Sequence, residues 1–134
     1  MTRASVGALA AIASLALAGC AGTDTSEPSA AANSGRQCFS TSSVRNFRAV
    51  DSRTVNIRAG RNVYRLDLFG TCPDVTWTSG MRLNTRPSST VCTGSALGTS
   101  LSVRGPSGRQ TCQVQTVTLL TPEEVEALPA RHRP

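Results

Sequence analysis

Between Val44 and Leu120 apolar and polar side chains alternate with a period of two. Val55, Ile57 and Ala59 stand against Thr54, Asn56 and Arg58, and Tyr64, Leu66 and Leu68 against Arg65 and Asp67. A strand points successive side chains to opposite faces, so this rhythm predicts half-buried strands. Turn chemistry at Asp51-Ser52-Arg53 and Ala59-Gly60-Arg61-Asn62 divides residues 44 to 50, 54 to 59 and 62 to 69 into a meander. Further strands are expected at 81 to 85, 89 to 92, 100 to 104 and 112 to 120, with Gly105-Pro106-Ser107-Gly108 turning the chain before the last. Cys72-Pro73-Asp74 interrupts the pattern, and Trp77 beyond it is expected to plug the core.

One helix start is explicit. Thr121-Pro122-Glu123-Glu124 places a capping Thr, a proline at the first helical position and Glu at the third, while Leu120 and Val125 sit where a hydrophobic staple packs. A short helix from Pro122 to about Leu128 follows, its Val125 and Leu128 docking on the sheet. The expected fold is therefore mainly β: a small antiparallel β sheet, sandwich or open barrel with one short C-terminal helix. The β domain is placed at residues 36–128 and a disordered tail at 129–134.

The front of the chain has a different texture. Arg3 precedes a small-apolar run from Ala4 to Leu17, followed by Leu17-Ala18-Gly19-Cys20. About 20 apolar residues are needed to span a bilayer, so the run is too short for a membrane helix and has the build of an export signal over residues 1–19. The four residues at its end resemble the lipobox of bacterial lipoproteins, in which a diacylglycerol is attached to the cysteine sulfur and a peptidase cuts before it. That resemblance implies lipidation (palmitate-bearing) at Cys20 and an acyl anchor in a lipid bilayer. Residues 20–35 then form a tether: Ala21 to Gly35 has no large apolar residue, and its coil reach is about 20 Å. By resemblance to lipoprotein sorting in enteric bacteria, Ala21 rather than Asp after Cys20 implies a periplasm-facing protein on the outer more than the inner membrane of the cell envelope.

With Cys20 assigned to lipid, Cys38, Cys72, Cys92 and Cys112 remain, an even number that suits two disulfides in an exported chain. Three connectivities exist. Cys72 with Cys92 and Cys38 with Cys112 is the expected pairing, because the first pair would flank a hairpin-like segment and the second would tie the domain's start to its last strand. Loop entropy assigns these about 3 and 4.5 kcal/mol. No C-x₂-C pair occurs, which argues against a zinc site; no metal or cofactor is expected.

Cys38-Phe39, Phe47-Arg48-Ala49-Val50-Asp51, Tyr64-Arg65-Leu66-Asp67-Leu68, the cysteines at 72, 92 and 112, and Leu120-Thr121-Pro122-Glu123-Glu124-Val125 together resemble a family of small bacterial lipoproteins with a domain of unknown function. The likeness covers residues 36 to 128. It implies a secreted disulfide-bearing module and brings no functional residues with it.

Candidate chemistry is sparse. The only histidine, His132, lies in the tail, Gly94-Ser95-Ala96-Leu97-Gly98 is not a G-x-S-x-G elbow, and no phosphate loop or dinucleotide fingerprint is present. The strand region holds three carboxylates, expected as a turn residue (Asp51), a partner of a cross-strand arginine (Asp67) and a turn after Pro73 (Asp74). No catalytic residue is assigned. Charge is the stronger feature. All 14 basic residues are arginine, and residues 36 to 120 carry 11 arginines against 3 acids, a net of 11 − 3 = +8. Guanidinium forks match carboxylates and phosphates, so the expected partner is an anionic glycan, lipid or protein of the envelope. Strand parity places Arg58 and Arg65 on solvent faces as the candidate anion-binding residues. Without interleaved aromatics there is no stacking platform, so nucleic acid is not expected.

Two function classes follow: a non-enzymatic envelope lipoprotein that binds an anionic component or protein partner, or a small lipid-anchored inhibitor of a secreted hydrolase. Small lipid-anchored lysozyme inhibitors are similar in size, anchor and build, yet lysozymes are usually basic and a +8 body would repel them. The anchor is open to a direct check. Mass spectrometry of the mature protein is expected to find nothing before Cys20, and a Cys20→Ala variant to lose its partitioning into membranes.

Overall fold

The alternation becomes one curled antiparallel sheet, a half-barrel, with a two-stranded sheet beside it. The computed structural model describes residues 35–134. The export signal 1–19, the lipidation at Cys20 and all of the tether 20–35 but Gly35 lie outside the described residues. In chain order the strands are β1 (Cys38–Ser40), β2 (Val44–Ala49), β3 (Thr54–Ala59), β4 (Asn62–Leu68), β5 (Met81–Thr85), β6 (Thr90–Cys92), β7 (Gly94–Ser95), β8 (Thr99–Gly105) and β9 (Gly108–Leu119). The large sheet runs β2-β3-β4-β9-β8-β5, β7 adds to β9, and β1 pairs with β6.

Strand β9 serves two long partners besides the short β7. Its first half pairs with β8, from Gly108↔Gly105 to Gln113↔Ser100, and its second half with β4, from Val114↔Leu68 to Leu119↔Tyr64. Between Thr116 and Val114 the register against β4 slips by one, a bulge at Gln115. The bulge resets parity, so the core-facing set is Cys112 and Val114 before it and Val117 and Leu119 after it. The same device works in β2, where the slip between Val44 and Asn46 turns Phe47 and Ala49 inward.

The concave face is the core: Val55, Ile57, Tyr64, Leu66, Leu101, Val103 and Val117 are all at most 2% exposed. Phe39 of β1 and Val91 of β6 close over this face, the Phe39 ring lying 4.4 Å from that of Tyr64. Trp77 does not plug the core. It caps a 3-10 turn at Pro73–Thr76 whose buried members are Asp74 and Val75, and the indole stands 77% exposed.

The disulfide pairing differs from the expected one: Cys38 joins Cys92 and Cys72 joins Cys112. Cys72 and Cys92 do not flank a hairpin, because β5 pairs with β8 rather than with β6. Instead Cys38 and Cys92 face each other across the β1–β6 ladder with Cα atoms 4.0 Å apart. Their loops span 54 and 40 residues, so loop entropy assigns about 4 kcal/mol to each.

Helix α1 (Pro122–Ala127) starts as expected, with Thr121 Oγ1 accepting from the Glu124 N–H and a Glu124 carboxylate oxygen accepting from the Thr121 N–H. The disordered tail expected at 129–134 is instead folded. Ala130–His132 forms a 3-10 turn, Arg133 donates to the carbonyls of Leu128 and Glu126, and Pro134 is buried. One contact tests the packing between hairpin and turn. A Cβ on Gly105 would fall 2.5 Å from the Asp74 Cβ. Gly105→Ala is expected to cost about 1–3 kcal/mol by overpacking, read as a lower melting temperature with both disulfides intact.

Candidate functional site

The convex face of β2, β3 and β4 carries Arg48 beside Asn56 and Arg65, and Asn46 beside Arg58 and Val63, as cross-strand neighbours. Parity therefore places Arg58 and Arg65 on the outer face as expected. That face is open to solvent at Asn46 and Arg48 but covered over β3. The C-terminal segment lies on it: Asn56 Nδ2 donates to the His132 carbonyl (3.0 Å), and Arg58 Nε to the Pro134 backbone oxygen (2.9 Å). Arg58 and Arg65 are half-buried, Asn56 and Val63 are buried, and Asn56 Oδ1 and Arg65 Nε are shielded from solvent without a hydrogen-bond partner among the described residues. Of the two arginines that the alternation marks as an anion site, Arg58 belongs to a seam with the tail and Arg65 is half-buried beside Asn56.

The three strand-region carboxylates are held by local donors. Asp51 accepts from the Arg53 N–H (2.6 Å), which makes it a turn residue as expected. Asp67 takes the Thr116 hydroxyl (3.1 Å), a cross-strand partner that is not the arginine expected. Asp74, 4% exposed, accepts from the N–H and hydroxyl of Ser107 and so pins the β8–β9 turn.

A second convex face, that of β5, β8 and β9, carries no covering segment among the described residues. Its rungs run Asn84–Ser100–Gln113, Arg82–Ser102–Thr111 and then Arg104 opposite Arg109. Arg82, Arg104 and Arg109 are exposed, and Asn84 Nδ2 donates to the Ser102 hydroxyl (3.0 Å) at the centre. A groove of about 980 Å³ follows the face from Thr111 and Gln113 to the rim formed by Arg86–Ser89 and Thr41. A smaller hollow of about 580 Å³ continues it over Arg82, Arg104 and Arg109. Neither has a carboxylate among its described lining residues. Gly98 sets the rim: its φ is +80°, its carbonyl accepts from the Arg86 N–H (3.2 Å), and a Cβ there would meet the Arg86 carbonyl at 2.8 Å. Sequence reasoning missed these arginines because they are scattered over 28 residues, although Arg82 and Arg104 occupy polar positions of alternating runs.

The model of a family of unknown function, DUF6491, matches residues 1–133. The chain belongs to DUF6491. None of the curated proteins and none of the solved structures matches it.

In this DUF6491 chain the groove side chains are guanidinium, hydroxyl and amide groups. They can hold an anion by charge-assisted hydrogen bonds and orient neutral oxygens around it. His132 sits elsewhere, in the tail seam, where its Nε2 accepts from Arg131 Nε (3.2 Å). The two arginine sets separate by substitution. Arg58→Ser is expected to destabilise the DUF6491 domain by about 1.5–3 kcal/mol, since it removes a charged donor from a buried seam. Arg104→Ser is expected to stay within about 0.5 kcal/mol, as exposed changes do. Chemical denaturation of both variants decides it.

Proposed function

We propose that this protein is an exported, lipid-anchored envelope protein whose β domain binds an anionic glycan on the open face of β5, β8 and β9, without catalysing a reaction on it. The binding part is carried by one observation: Arg82, Arg104 and Arg109 converge with Asn84, Ser102 and Thr111 on a single uncovered face. Guanidinium forks suit phosphate and carboxylate, and the central hydroxyls and amides suit sugar hydroxyls. Phosphorylated lipopolysaccharide sugars and carboxylate-bearing peptidoglycan share that chemistry. The anchoring part is supported by Leu17-Ala18-Gly19-Cys20 after a short apolar run, and export by two disulfides, which persist in oxidising compartments.

The test is binding of the full chain, held in neutral detergent, to phosphorylated core oligosaccharide and to soluble peptidoglycan fragments. Affinity for one of them is expected to fall steeply with salt, because exposed charges are screened beyond about 8 Å at physiological ionic strength. Arg82→Ser and Arg86→Ser are each expected to weaken it about tenfold, the lower bound for a hydrogen bond from a charged donor, with melting unchanged. Salt-independent binding, or a double variant that binds like the parent, overturns the reading.

A further inference from the structure

The β4–β5 connection, residues 69–80, gathers at one end of the sheet with the β2–β3 and β8–β9 turns. It is tied there repeatedly. The Leu68 N–H donates to the Arg53 carbonyl (2.7 Å), Cys72 N–H to the Ser52 carbonyl (2.7 Å) and Phe69 N–H to the Gln113 carbonyl (2.8 Å). Cys72 is bonded to Cys112, Asp74 holds Ser107, and Thr78 Oγ1 donates to the Arg104 carbonyl (2.9 Å). A connection fixed at so many points presents its outward side chains from a rigid support. Two of those side chains are Phe69 and Trp77, 76% and 77% exposed. Water-facing aromatics of this size on a braced loop are not explained by the core, which Val75 and Cys72 already fill.

The same end is basic. Arg53, Arg104 and Arg109 are all exposed, and Arg53 Nε reaches the Thr71 hydroxyl of the aromatic-bearing connection (3.4 Å). Of the three acids nearby, Asp74 is buried against Ser107 and Asp67 is half-buried against the Thr116 hydroxyl, leaving Asp51 as the exposed one. Exposed aromatic rings at the same end of the sheet as exposed guanidinium groups match the boundary of an anionic bilayer, where Trp favours the headgroup level and basic side chains meet lipid phosphates.

We propose that this end of the domain docks on an anionic phospholipid surface, with Trp77 and Phe69 in the headgroup–acyl boundary and Arg53, Arg104 and Arg109 against the phosphates. The docking surface shares Arg104 and Arg109 with the glycan face and adds Arg53, Phe69 and Trp77, and it rests on the anchored reading only for its proximity to a bilayer.

Trp77 is the single tryptophan, so its emission reports the contact directly. The full chain is reconstituted with vesicles of equimolar phosphatidylglycerol and phosphatidylcholine, or of phosphatidylcholine alone, each carrying brominated acyl chains. Sedimentation with the zwitterionic vesicles, where docking is not expected, reads the anchor, and emission reads the docking. In the anionic vesicles Trp77 is expected to shift to shorter wavelength and to be quenched by the bromines; in the zwitterionic vesicles it stays at its water-exposed position. Each of Arg53→Ser, Arg104→Ser and Arg109→Ser is expected to lower the ratio of docked to undocked domain about fivefold, the equivalent of about 1 kcal/mol per basic side chain near an anionic surface. Phe69→Ser is expected to lower it as well, with both disulfides and the melting temperature retained. A chain that sediments with anionic vesicles while Trp77 stays unshifted and unquenched overturns the docking and leaves the anchor standing. An equal response in both lipids also overturns it. A chain that does not sediment with the zwitterionic vesicles fails the anchor alone, and its Trp77 response to added anionic vesicles still decides the docking.

Discussion

Strand β9 is the constraint on which the rest of the domain depends. It is the one strand common to β2-β3-β4 on one side and β8-β5 on the other, and it changes partners along its length. A sheet whose central strand pairs with β8 through its first half and β4 through its second has to curl, and the bulge at Gln115 keeps apolar side chains inside on both sides of the change. The curl creates a concave core small enough for Phe39 and Val91 of the two-stranded sheet to close. It also splits the convex surface into two faces, and the chain treats them differently.

One face is covered and the other is not. Over β2, β3 and β4 the outward positions include Val63, only 3% exposed, which is an apolar residue on what alternation marks as the polar side. Val63 and Leu120 lie outside the main core cluster, and the Leu120 N–H donates to the Val63 carbonyl, so the chain leaving β9 is already bonded to this strand before α1 begins. The final turn then satisfies Asn56 and Arg58. Over β5, β8 and β9 the outward positions are Ser, Thr, Asn, Gln and Arg, which need no cover.

Legibility divides along the same line. The strands whose rhythm is local were readable: 54 to 59 and 81 to 85 carry clean alternation, and the residues of α1 carry their own cap. Strands of two or three residues such as β7 and β1 offer too few positions for a period to show. The disulfides were misassigned because β1 and β6 meet across 54 residues, a contact that no local pattern reports. Arg58 was read as solvated because its parity is local, while its cover comes from a residue 76 positions away. Trp77, expected as a core plug beyond the Cys72-Pro73-Asp74 break, stays outside because the turn that carries it buries Val75 instead.

The open face carries an electrostatic cost that its surroundings offset. Arg104 stands directly opposite Arg109 with Arg82 on the adjoining rung, and like charges opposed across strands destabilise a ladder. The two strongest ties at that end act against this repulsion: the Cys72–Cys112 bond fixes β9 near its start, and Asp74 grips Ser107 in the turn joining the strands that bear Arg104 and Arg109. Gly105 is what lets the Asp74 side chain come so close. Restraint of this kind lets these guanidinium groups stay together on one face. An anion bound there would relieve the repulsion, so occupancy of the face and stability of the β8–β9 hairpin are thermodynamically linked.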